Sequence, residues 1–242
     1  TLKVDAERLD HLVDMIGELV IAESMILDRP ELKFAKSPKL DTLLRQLNKI
    51  TRDLQGLGTS MRMVPITPVF KRMNRLVREV SKQLGKPVEF LTKGEETELD
   101  KSIVDNVADP LVHLLRNAID HGLEPNAEER IAKGKPAAGK ITLSAIQEGG
   151  SIKIRVQDDG RGMDRNKILG KAQEKGLVQD GTGLSDKEIF EFIMQPGFST
   201  AAAVTDVSGR GVGMDVVKRN IENLHGSIAI ESSLGHGSTF TI

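Results

Sequence analysis

The chain has 242 residues, of which 29% are charged and 38% hydrophobic, a composition typical of globular domains. The formal net charge of -1 provides no overall attraction to nucleic acid or to an acidic membrane surface. Cysteine is absent, which excludes disulfides and thiolate metal sites and favours a reducing compartment. Trp and Tyr are absent too, so most of the stacking surface of a single-strand binder is missing, and we predict no nucleic-acid partner.

Neither a transmembrane segment nor a signal peptide is predicted. No apolar run approaches the roughly 18 residues that cross a bilayer, and the opening TLKVDAERLD lacks the pattern of a signal peptide. The first residue is not Met, and the closing GSTFTI stops inside a predicted strand. We therefore expect the chain to be a piece of a longer protein.

Two long helical patterns open the chain. Each repeats apolar residues at alternating steps of three and four, interrupted only by Glu23, and a polar, proline-marked segment at 29–38 predicts a hairpin loop between them. Val13, Val20 and Leu44 widen the apolar stripe beyond what one neighbouring helix covers. The repeat consists of Leu9, Leu12, Ile16, Leu19 and Ile26, followed by Leu40, Leu43, Leu47, Ile50, Leu54 and Leu57.

Two helices alone enclose only a thin core. We therefore predict that residues 1–62 form an antiparallel two-helix hairpin, which pairs with a second copy of the chain as a four-helix bundle. Packing of the helices on the chain's own second domain is the alternative. The prolines of MRMVPITP end the second helix and predict a hinge at 63–66.

After this hinge the pattern changes to mixed α/β. The strands ITLSAIQ and SIKIRVQ alternate apolar and polar residues and are joined by Glu-Gly-Gly, which is typical of a hairpin. We predict an α+β chain in which residues 67–242 form an α/β sandwich with helices on one face of a sheet. Helices are predicted at 68–84, 100–121, 163–176, near 186–194 and at 213–224, and strands at 87–91, 141–147, 151–157, 227–232 and 238–242.

The helix containing HLLRNAIDHG, residues 113–122, carries an unusual polar row. At about 100° per residue, five polar side chains fall on the arc opposite the leucines. A solvated face is the default explanation, but Asn has poor helix propensity and costs stability without an evident structural return. From this stretch alone, a solvated face and a functional row both remain open. The row consists of His113, Arg116, Asn117, Asp120 and His121.

The segment SIKIRVQDDGRGMD delivers a carboxylate toward the core. Ile154 and Val156 face inward, and the alternation of a strand places Asp158 on the same side. A buried carboxylate is costly unless a donor meets it, and Gly160 and Gly162 remove side-chain bulk nearby. An adenine ring, with a flat apolar body and an exocyclic amine, fits this arrangement. The alternative is a tight turn in which Asp158 caps the next helix.

A second glycine motif is SGRGVGMDVV, in which Gly209, Gly211 and Gly213 lead directly into a helix. Free backbone N–H groups at a glycine-rich helix start form an anion site. A dinucleotide-binding loop is the alternative, with Glu231 at a plausible distance for a ribose contact. No strand precedes the motif and Met214 replaces the third glycine, so a triphosphate fits better.

In this order the motifs resemble those of the chemotaxis histidine kinase family. HLLRNAIDHG resembles its asparagine box, DDGRGMD its first glycine box, PGFST its phenylalanine box and GRGVGMDVV its second glycine box. GSTFTI resembles the last glycine segment, and RMVPI and GEETELD are further phrases typical of the family. The resemblance covers nearly the whole chain, and four ordered boxes are far more specific than one glycine string.

By this resemblance, residues 67–242 would be an ATP-binding catalytic domain of the kind shared by histidine kinases, gyrase-type ATPases and a heat-shock chaperone. Asn117 would hold Mg²⁺, which bridges the phosphates. Asp158 would accept a hydrogen bond from the adenine amine, with Gly162 at the purine. His113 stands where most relatives carry a glutamate base, and an ordinary pKa of about 6.5 allows it to accept a proton there.

The resemblance also implies a set of residues around the phosphates. Gly209, Gly211 and Gly213 would close over the phosphates as part of a mobile lid, while His121 and Lys167 match positions that reach them. The remaining members of the implied nucleotide-binding set are Asp120, Gly160, Ser199, Thr200, Arg210, Val212 and Thr239.

The implied reaction transfers the γ-phosphoryl group of ATP to a histidine nitrogen, chemistry that depends mostly on positioning and charge neutralisation. His11 on the first helix is an alternative acceptor, but Leu12 follows it where sensor kinases carry an acid. By the resemblance, the acceptor lies on a separate phosphotransfer domain, reached in trans across the dimer. We therefore expect the chain to bind ATP without phosphorylating itself.

The implied partners are a second copy of the chain, the phosphotransfer domain and response regulators. A regulatory domain following Ile242 would contact the chemoreceptor and a coupling protein, placing a cytoplasmic protein at the receptor array. Two other functions remain open, a dimeric adaptor with a degenerate nucleotide site and a conformational ATPase clamp. The intact boxes speak against the first, and the absence of a glutamate at position 113 speaks against a dedicated water-activating ATPase.

Overall fold

A computed structural model describes residues 6–29, 37–198 and 213–242. Contacts within the chain divide it into two compact units, Thr1–Val64 with Glu98–Lys101 and Pro65–Thr97 with Ser102–Ile242. Within the described ranges, no helix combines the length and the apolar character that crossing a membrane requires.

The first unit is built on two long helices, α1 at Ala6–Leu27 and α2 at Pro38–Met61. Helix α2 begins after Ser37, whose hydroxyl accepts a hydrogen bond from a backbone amide of the first turn. Arg62, just beyond the end of α2, lies 3.4 Å from the carboxylate of Asp10 near the start of α1, so the helices run antiparallel. The predicted two-helix hairpin is confirmed.

The contact between α1 and α2 differs from the predicted heptad seam. The buried residues in the described part of the two helices are Ile16, Glu23, Thr51 and Gly58. The predicted flanking residues Val13, Val20 and Leu44 are half-buried between them. Most of the predicted row is exposed in the single chain, namely Leu12, Leu19, Ile26, Leu43, Leu47, Ile50, Leu54 and Leu57. A heptad pattern identifies an apolar stripe but not which neighbour covers it.

Two short strands, β1 at Met63–Pro65 and β3 at Glu98–Asp100, form a two-stranded sheet. The segment predicted as a hinge therefore contains paired backbone. Neither strand was predicted, because three residues are too few to show an alternating pattern.

The second unit contains a five-stranded sheet and six α-helices among the described residues. The strands are β2 Val88–Lys93, β4 Gly139–Glu148, β5 Ser151–Asp158, β6 Ala229–Ser233 and β7 Gly237–Thr241. The helices are α3 Thr67–Leu84, α4 Lys101–Asn117, α5 Ala127–Ala132, α6 Arg165–Glu174, α7 Asp186–Glu191 and α8 Met214–Asn223. The predicted α+β class, with a helical hairpin followed by an α/β sandwich, is confirmed.

The five strands have the order β2-β4-β5-β7-β6, in which β2 is parallel to β4 and the other neighbours are antiparallel. Along β4, buried and more exposed residues alternate, so one face of the sheet is covered. Across β4, β5, β7 and β6, this covered face carries a fully apolar row formed by Leu143, Val156, Phe240 and Ile230. The next row contains Ile141, Asp158, Ser238 and Ser232. The sheet therefore carries Asp158 into its buried face, as predicted.

Helix α4 supplies much of the core that covers the sheet. Its inward residues include Leu111, Leu114 and Leu115, all fully buried. The α-helix ends at Asn117 and continues as one π-helical turn, Ala118–Gly122. The predicted helix thus has the right position, but its last turn is wider than the α-helix that was assumed.

Candidate nucleotide site

Asp158 is the last residue of β5 and is only 4% exposed. Its Oδ1 accepts a hydrogen bond of 2.9 Å from the Gly160 N–H. Burial raises the pKa of Asp158 to about 6, although backbone hydrogen bonds from Gly160 and Ser238 favour the charged form. The predicted alternative, a helix cap, is wrong, because Asp164 caps helix α6. A buried carboxyl group with a raised pKa is a candidate ligand-binding group.

The first glycine box is packed too closely for side chains. A Cβ atom on Gly160 would lie 2.1 Å from the carbonyl oxygen of Gly122, at the end of the π-turn. Gly162 has a φ of 65°, and a Cβ atom there would lie 2.1 Å from the carbonyl oxygen of Ser233. Only glycine fits at these two positions. The loop that follows Asp158 is therefore held tightly against two other elements.

The π-turn joins the asparagine box to the first glycine box. The Arg161 N–H donates a 2.7 Å hydrogen bond to the Gly122 carbonyl, and Arg161 Nη2 donates one of 2.6 Å to the His121 carbonyl. Single π-turns occur frequently at functional sites. These bonds bring together motifs that lie about 40 residues apart in the chain.

Asn117 occupies the last α-helical position and is half-buried. Its Nδ2 lies 3.1 Å from the sulfur of Met214, the first residue of α8, which Gly213 precedes as the N-cap. The structure therefore places the start of the second glycine-box helix beside the asparagine box. No hydrogen bond among the described residues involves the amide oxygen of Asn117. This oxygen is therefore available as a ligand atom.

His113 lies one helical turn before Asn117 and is half-buried. Burial lowers the pKa of His113, the nearby Arg116 guanidinium lowers it further, and Asp109 partly opposes both. The imidazole is therefore neutral at pH 7 and able to accept a proton.

Asp120 and His121 lie within the π-turn, where the predicted α-helical angles do not apply. Both side chains are exposed, with His121 Nε2 3.6 Å from Asp120 Oδ2. The carbonyl groups of this turn are held by Lys86, whose Nζ donates hydrogen bonds of 2.9 Å to Ile119 and 2.6 Å to Asp120. Burial lowers the pKa of Lys86. The sequence offers no signal for this role, since Lys86 lies in a turn before β2.

A buried charge network contacts the glycine loop that follows Asp158. Glu124 is fully buried, with Oε2 2.6 Å from Arg130 and Oε1 3.0 Å from Lys135. Arg130 also binds Asp159 at 2.8 Å, and Lys135 Nζ donates to the carbonyls of Asp159 at 2.7 Å and Gly160 at 2.6 Å. Sequence reasoning missed this network, because charged residues in a turn-rich stretch are usually solvated.

Two predicted residues, Thr239 and Lys167, lie apart from the side chains of Asp158 and Asn117. Directly opposed residues of antiparallel strands point to the same face, and Asp158 is opposed by Ser238 rather than by Thr239. Ser238 is buried beside Asp158, whereas strand alternation turns Thr239 to the other face. Lys167 is exposed on α6, 3.9 Å from Asp164, and no hydrogen bond or ion pair of described residues links it to Asn117.

Part of the predicted phosphate-binding set falls outside the described residues. Gly213 is described, as the N-cap of α8. The predicted residues that lie outside are Ser199, Thr200, Gly209, Arg210, Gly211 and Val212.

Each of the two parts of the chain matches a known protein family. Residues 106–242 match the family of histidine kinase-, DNA gyrase B- and HSP90-like ATPases, and residues 1–61 match the homodimeric domain of signal-transducing histidine kinases. Among solved structures, the chain is similar to the histidine kinase domain of a blue-light activated histidine kinase from Erythrobacter litoralis EL346. That similarity has a TM-score of 0.43 and 14% identity, and it covers 98% of this chain and 94% of the other.

Curated relatives match along the whole length of this chain. It is 47% identical to the sensor histidine kinase CheAY of Helicobacter pylori, over 99% of this chain and 31% of the relative. It is 45% identical to the chemotaxis protein CheA of Bacillus subtilis, over 100% of this chain and 36% of the relative. The chain thus spans about a third of the length of these relatives. The chain belongs to the family of histidine kinase-, DNA gyrase B- and HSP90-like ATPases, with a histidine-kinase homodimeric domain preceding the ATPase domain.

Proposed function

We propose that this chain is the dimerisation and catalytic part of an ATP-dependent protein-histidine kinase of bacterial chemotaxis signalling. The observation that carries the proposal is the buried Asp158 carboxyl, whose glycine loop is bonded to the end of the helix that bears Asn117 and His113. The names of the relatives, a sensor histidine kinase and a chemotaxis protein, point to the same activity. Residues 1–62 form the dimerisation domain in this proposal, 63–66 the connection and 67–242 the catalytic domain.

Adenine recognition is assigned to Asp158. With a pKa of about 6, the carboxyl is mainly ionised above neutral pH and accepts a hydrogen bond from the exocyclic amine. The close packing around Gly160 and Gly162 leaves backbone rather than side chains beside this carboxyl, which suits a flat apolar ring. The adenine amine would add a donor to a buried carboxylate whose charged form is costly despite its backbone hydrogen bonds.

The donor set around Asn117 fits a magnesium ion that is completed by phosphate oxygens. Mg²⁺ usually takes one or two protein ligands together with substrate phosphates and water. Asn117 offers an amide oxygen, and in the described ranges no group of three or more His, Cys, Asp or Glu residues is placed to hold a metal. The ion would neutralise charge on the phosphates during transfer.

His113 is proposed as the group that receives a proton during transfer. A nitrogen of the substrate imidazole forms a bond to the γ-phosphorus of ATP, the bond from that phosphorus to the bridging oxygen breaks, and ADP leaves with the electron pair. The phosphorylated imidazole then carries an excess proton. A neutral His113, with its pKa lowered by burial, accepts it.

A homodimer is proposed on the outer face of α1 and α2. Eight large apolar side chains of the predicted row are exposed in the single chain, more than a folded protein usually leaves in one stripe. A second hairpin placed on this face would complete a four-helix bundle. The match of residues 1–61 to a homodimeric domain supports this partner.

The remaining partners follow from the proposed signalling role. The accepting histidine is placed on a separate phosphotransfer domain, from which the phosphoryl group passes to response regulators. Coupling to a chemoreceptor and a coupling protein would hold the cytoplasmic kinase at the receptor array.

The proposal is tested by incubating the chain with γ-labelled ATP, Mg²⁺ and a phosphotransfer domain. We expect label on the added domain and none on the chain itself. His113→Gln should lower the transfer rate by about 100-fold, the usual contribution of a general base, while ATP affinity measured by calorimetry stays unchanged. Label on His11, or steady phosphate release without an acceptor, would contradict a kinase acting on a separate domain.

A further inference from the structure

Glu23 and Thr51 are the two polar side chains that are buried in the described part of helices α1 and α2. Glu23 is 4% exposed and Thr51 is 2% exposed. Neither Glu23 Oε1 nor Thr51 Oγ1 has a hydrogen-bond partner among the described residues. Buried polar groups are normally paired. Two unpaired groups inside a small helix pair therefore call for partners that the single hairpin does not supply.

The two residues occupy one level of the hairpin. Gly58 packs against Ile16, since a Cβ atom on Gly58 would lie 3.0 Å from Ile16 Cδ1. Glu23 follows Ile16 by seven residues, and Thr51 precedes Gly58 by seven. Seven residues are two helical turns, about 10.5 Å, in each helix. In an antiparallel pair these equal steps bring Glu23 and Thr51 to the same height, where they form what we term the polar layer.

The polar layer disfavours the alternative alignment of α1 and α2 in which one helix is shifted by seven residues. Helices with a heptad repeat can slip by seven residues and still keep apolar stripes in contact. Such a slip would set Glu23 against Leu44 and Thr51 against Ile16, burying each polar group among apolar atoms. The connection between α1 and α2 has ten residues, 28–37, and so does not by itself forbid the slip.

We propose that the polar layer fixes the register in which the helices pair when two copies of the chain associate. A second copy brings another Glu23 and another Thr51 into the same bundle, so that hydroxyl donors and carboxyl acceptors are present together. A buried polar residue in a helical seam specifies alignment and reduces stability. The inference rests on the proposed homodimer and adds the residues that determine its alignment.

The register can be measured at two glycines of the full chain. Gly17 and Gly56 are exposed, and a Cβ atom at either would meet nothing within 4 Å. Since the chain has no cysteine, Gly17→Cys with Gly56→Cys provides two unique spin-label sites for pulsed dipolar distance measurements. The labelled chain is compared with the same chain carrying Glu23→Leu and Thr51→Val, and with one carrying Glu23→Gln.

When the labelled chain is diluted into an excess of unlabelled chain, so that a dimer carries one labelled copy, the unchanged layer and Glu23→Gln should each give one narrow distance distribution. The apolar double variant should add a second population, displaced by about 10 Å along the helix axis. Its dimer transition should also move to a Tm higher by roughly 5 °C, because buried polar groups that are costly to desolvate are replaced by apolar ones. Glu18→Leu, at an exposed position of the same helix, is the matched control and should leave the distances unchanged.

A distance distribution in the apolar variant that equals the original, or a lower Tm, would overturn the inference. Sedimentation of the same samples shows whether the chain is a dimer, and so distinguishes a failure of this inference from a failure of the proposed homodimer. A monomeric wild-type chain would refute the dimer and the inference together. A dimer whose alignment ignores Glu23 and Thr51 would refute the inference alone.

Discussion

The two units of this chain differ in whether their buried polar side chains have partners. In the α/β domain, Glu124 is fully buried, and each of its carboxylate oxygens contacts a cation, Arg130 or Lys135. In the helix pair, Glu23 Oε1 and Thr51 Oγ1 are buried with no hydrogen-bond partner among the described residues, while a row of leucines and isoleucines is exposed. The α/β unit therefore pairs the buried charge of Glu124 within one chain, whereas the described part of the hairpin leaves an apolar row uncovered.

In the α/β domain, the substitution with the largest expected effect is Asn117→Ala. Phosphoryl transfer to a supplied phosphotransfer domain should fall on the order of 1,000-fold, because a group that stabilises the transferring charge is lost. The rate is followed with γ-labelled ATP, and the fold of the variant by circular dichroism. Asn106→Ala is the control, since Asn106 is an exposed amide on the same helix and donates a hydrogen bond to the nearby Ser102 carbonyl. Equal rates for the two variants would remove Asn117 from the site.

The incomplete hairpin is tested by Ile50→Glu. Ile50 is exposed in the single chain and lies in the row assigned to the second copy. A charge there should raise the dissociation constant of the dimer by more than 100-fold, because two unpaired carboxylates would be buried in each dimer. Sedimentation velocity measures the shift, and Gln46→Glu at an exposed polar position serves as the control. A variant that dimerises as well as the wild type would place the interface elsewhere.

Asp158→Asn probes the buried carboxyl that we propose binds the adenine of the nucleotide. The amide would direct a donor at the adenine amine, so ATP affinity should fall about 100-fold, or close to 3 kcal/mol. The free domain should become more stable by up to about 3 kcal/mol at pH 7.5, since a pKa raised from 3.8 to about 6 measures the cost of the charged form. Calorimetry and urea denaturation give the two values. Glu148→Gln, in the exposed β4–β5 hairpin, should change neither.

Lys135→Met weakens the support of the glycine loop without touching the nucleotide. Glu124 keeps Arg130 but loses its second cation, and two loop carbonyls lose their donor. We expect a loss of about 2 kcal/mol in stability and a rise of about tenfold in the KM for ATP, with kcat nearly unchanged. Lys133→Met, at an exposed position two residues earlier, is the control. A fall in kcat at constant KM would show that Lys135 acts in the transfer step instead.

The smallest predicted effect is a pH dependence of stability. The folded pKa of Asp158 is raised above its ordinary value of 3.8, so the folded state binds the proton more tightly than the unfolded state. The resulting stability is fully present below pH 3.8 and is lost as the pH rises through about 6. Between pH 7.5 and 5.5 the wild type should gain about 1 kcal/mol relative to Asp158→Asn. A constant difference between the two proteins would mean that Asp158 titrates at its ordinary pKa.

Regular patterns in the sequence were sufficient to predict much of the fold. Strand alternation placed Asp158 on the buried face, because the period of two continues to the end of β5. Thr239 was implied by the resemblance and not by strand alternation, and the pairing register of β7 makes Ser238 rather than Thr239 the neighbour of Asp158. Register depends on contacts between distant strands and is not visible in a short segment.

The contacts that lysines make with the loops around the site could not be predicted from sequence patterns, for a different reason. Lys86 and Lys135 bind backbone carbonyls, and any nearby peptide group can serve as that partner. The π-turn at 118–122 shows no apolar period of its own. The leucine row of α1 and α2 was recognised, but the choice between a neighbour in the same chain and one in another chain depends on packing.

The strand order of the main sheet has a consequence for the order of folding. Strand β7 lies between β5 and β6, and its pairing joins Asp158 to Ser238, eighty positions later in the chain. Such distant pairings slow folding relative to the neighbouring helices α1 and α2. During synthesis on the ribosome, the two helices emerge well before residues 237–241 are made. The Asp158 carboxyl is thus among the last groups to reach its final surroundings, long after the hairpin has become able to meet another nascent chain.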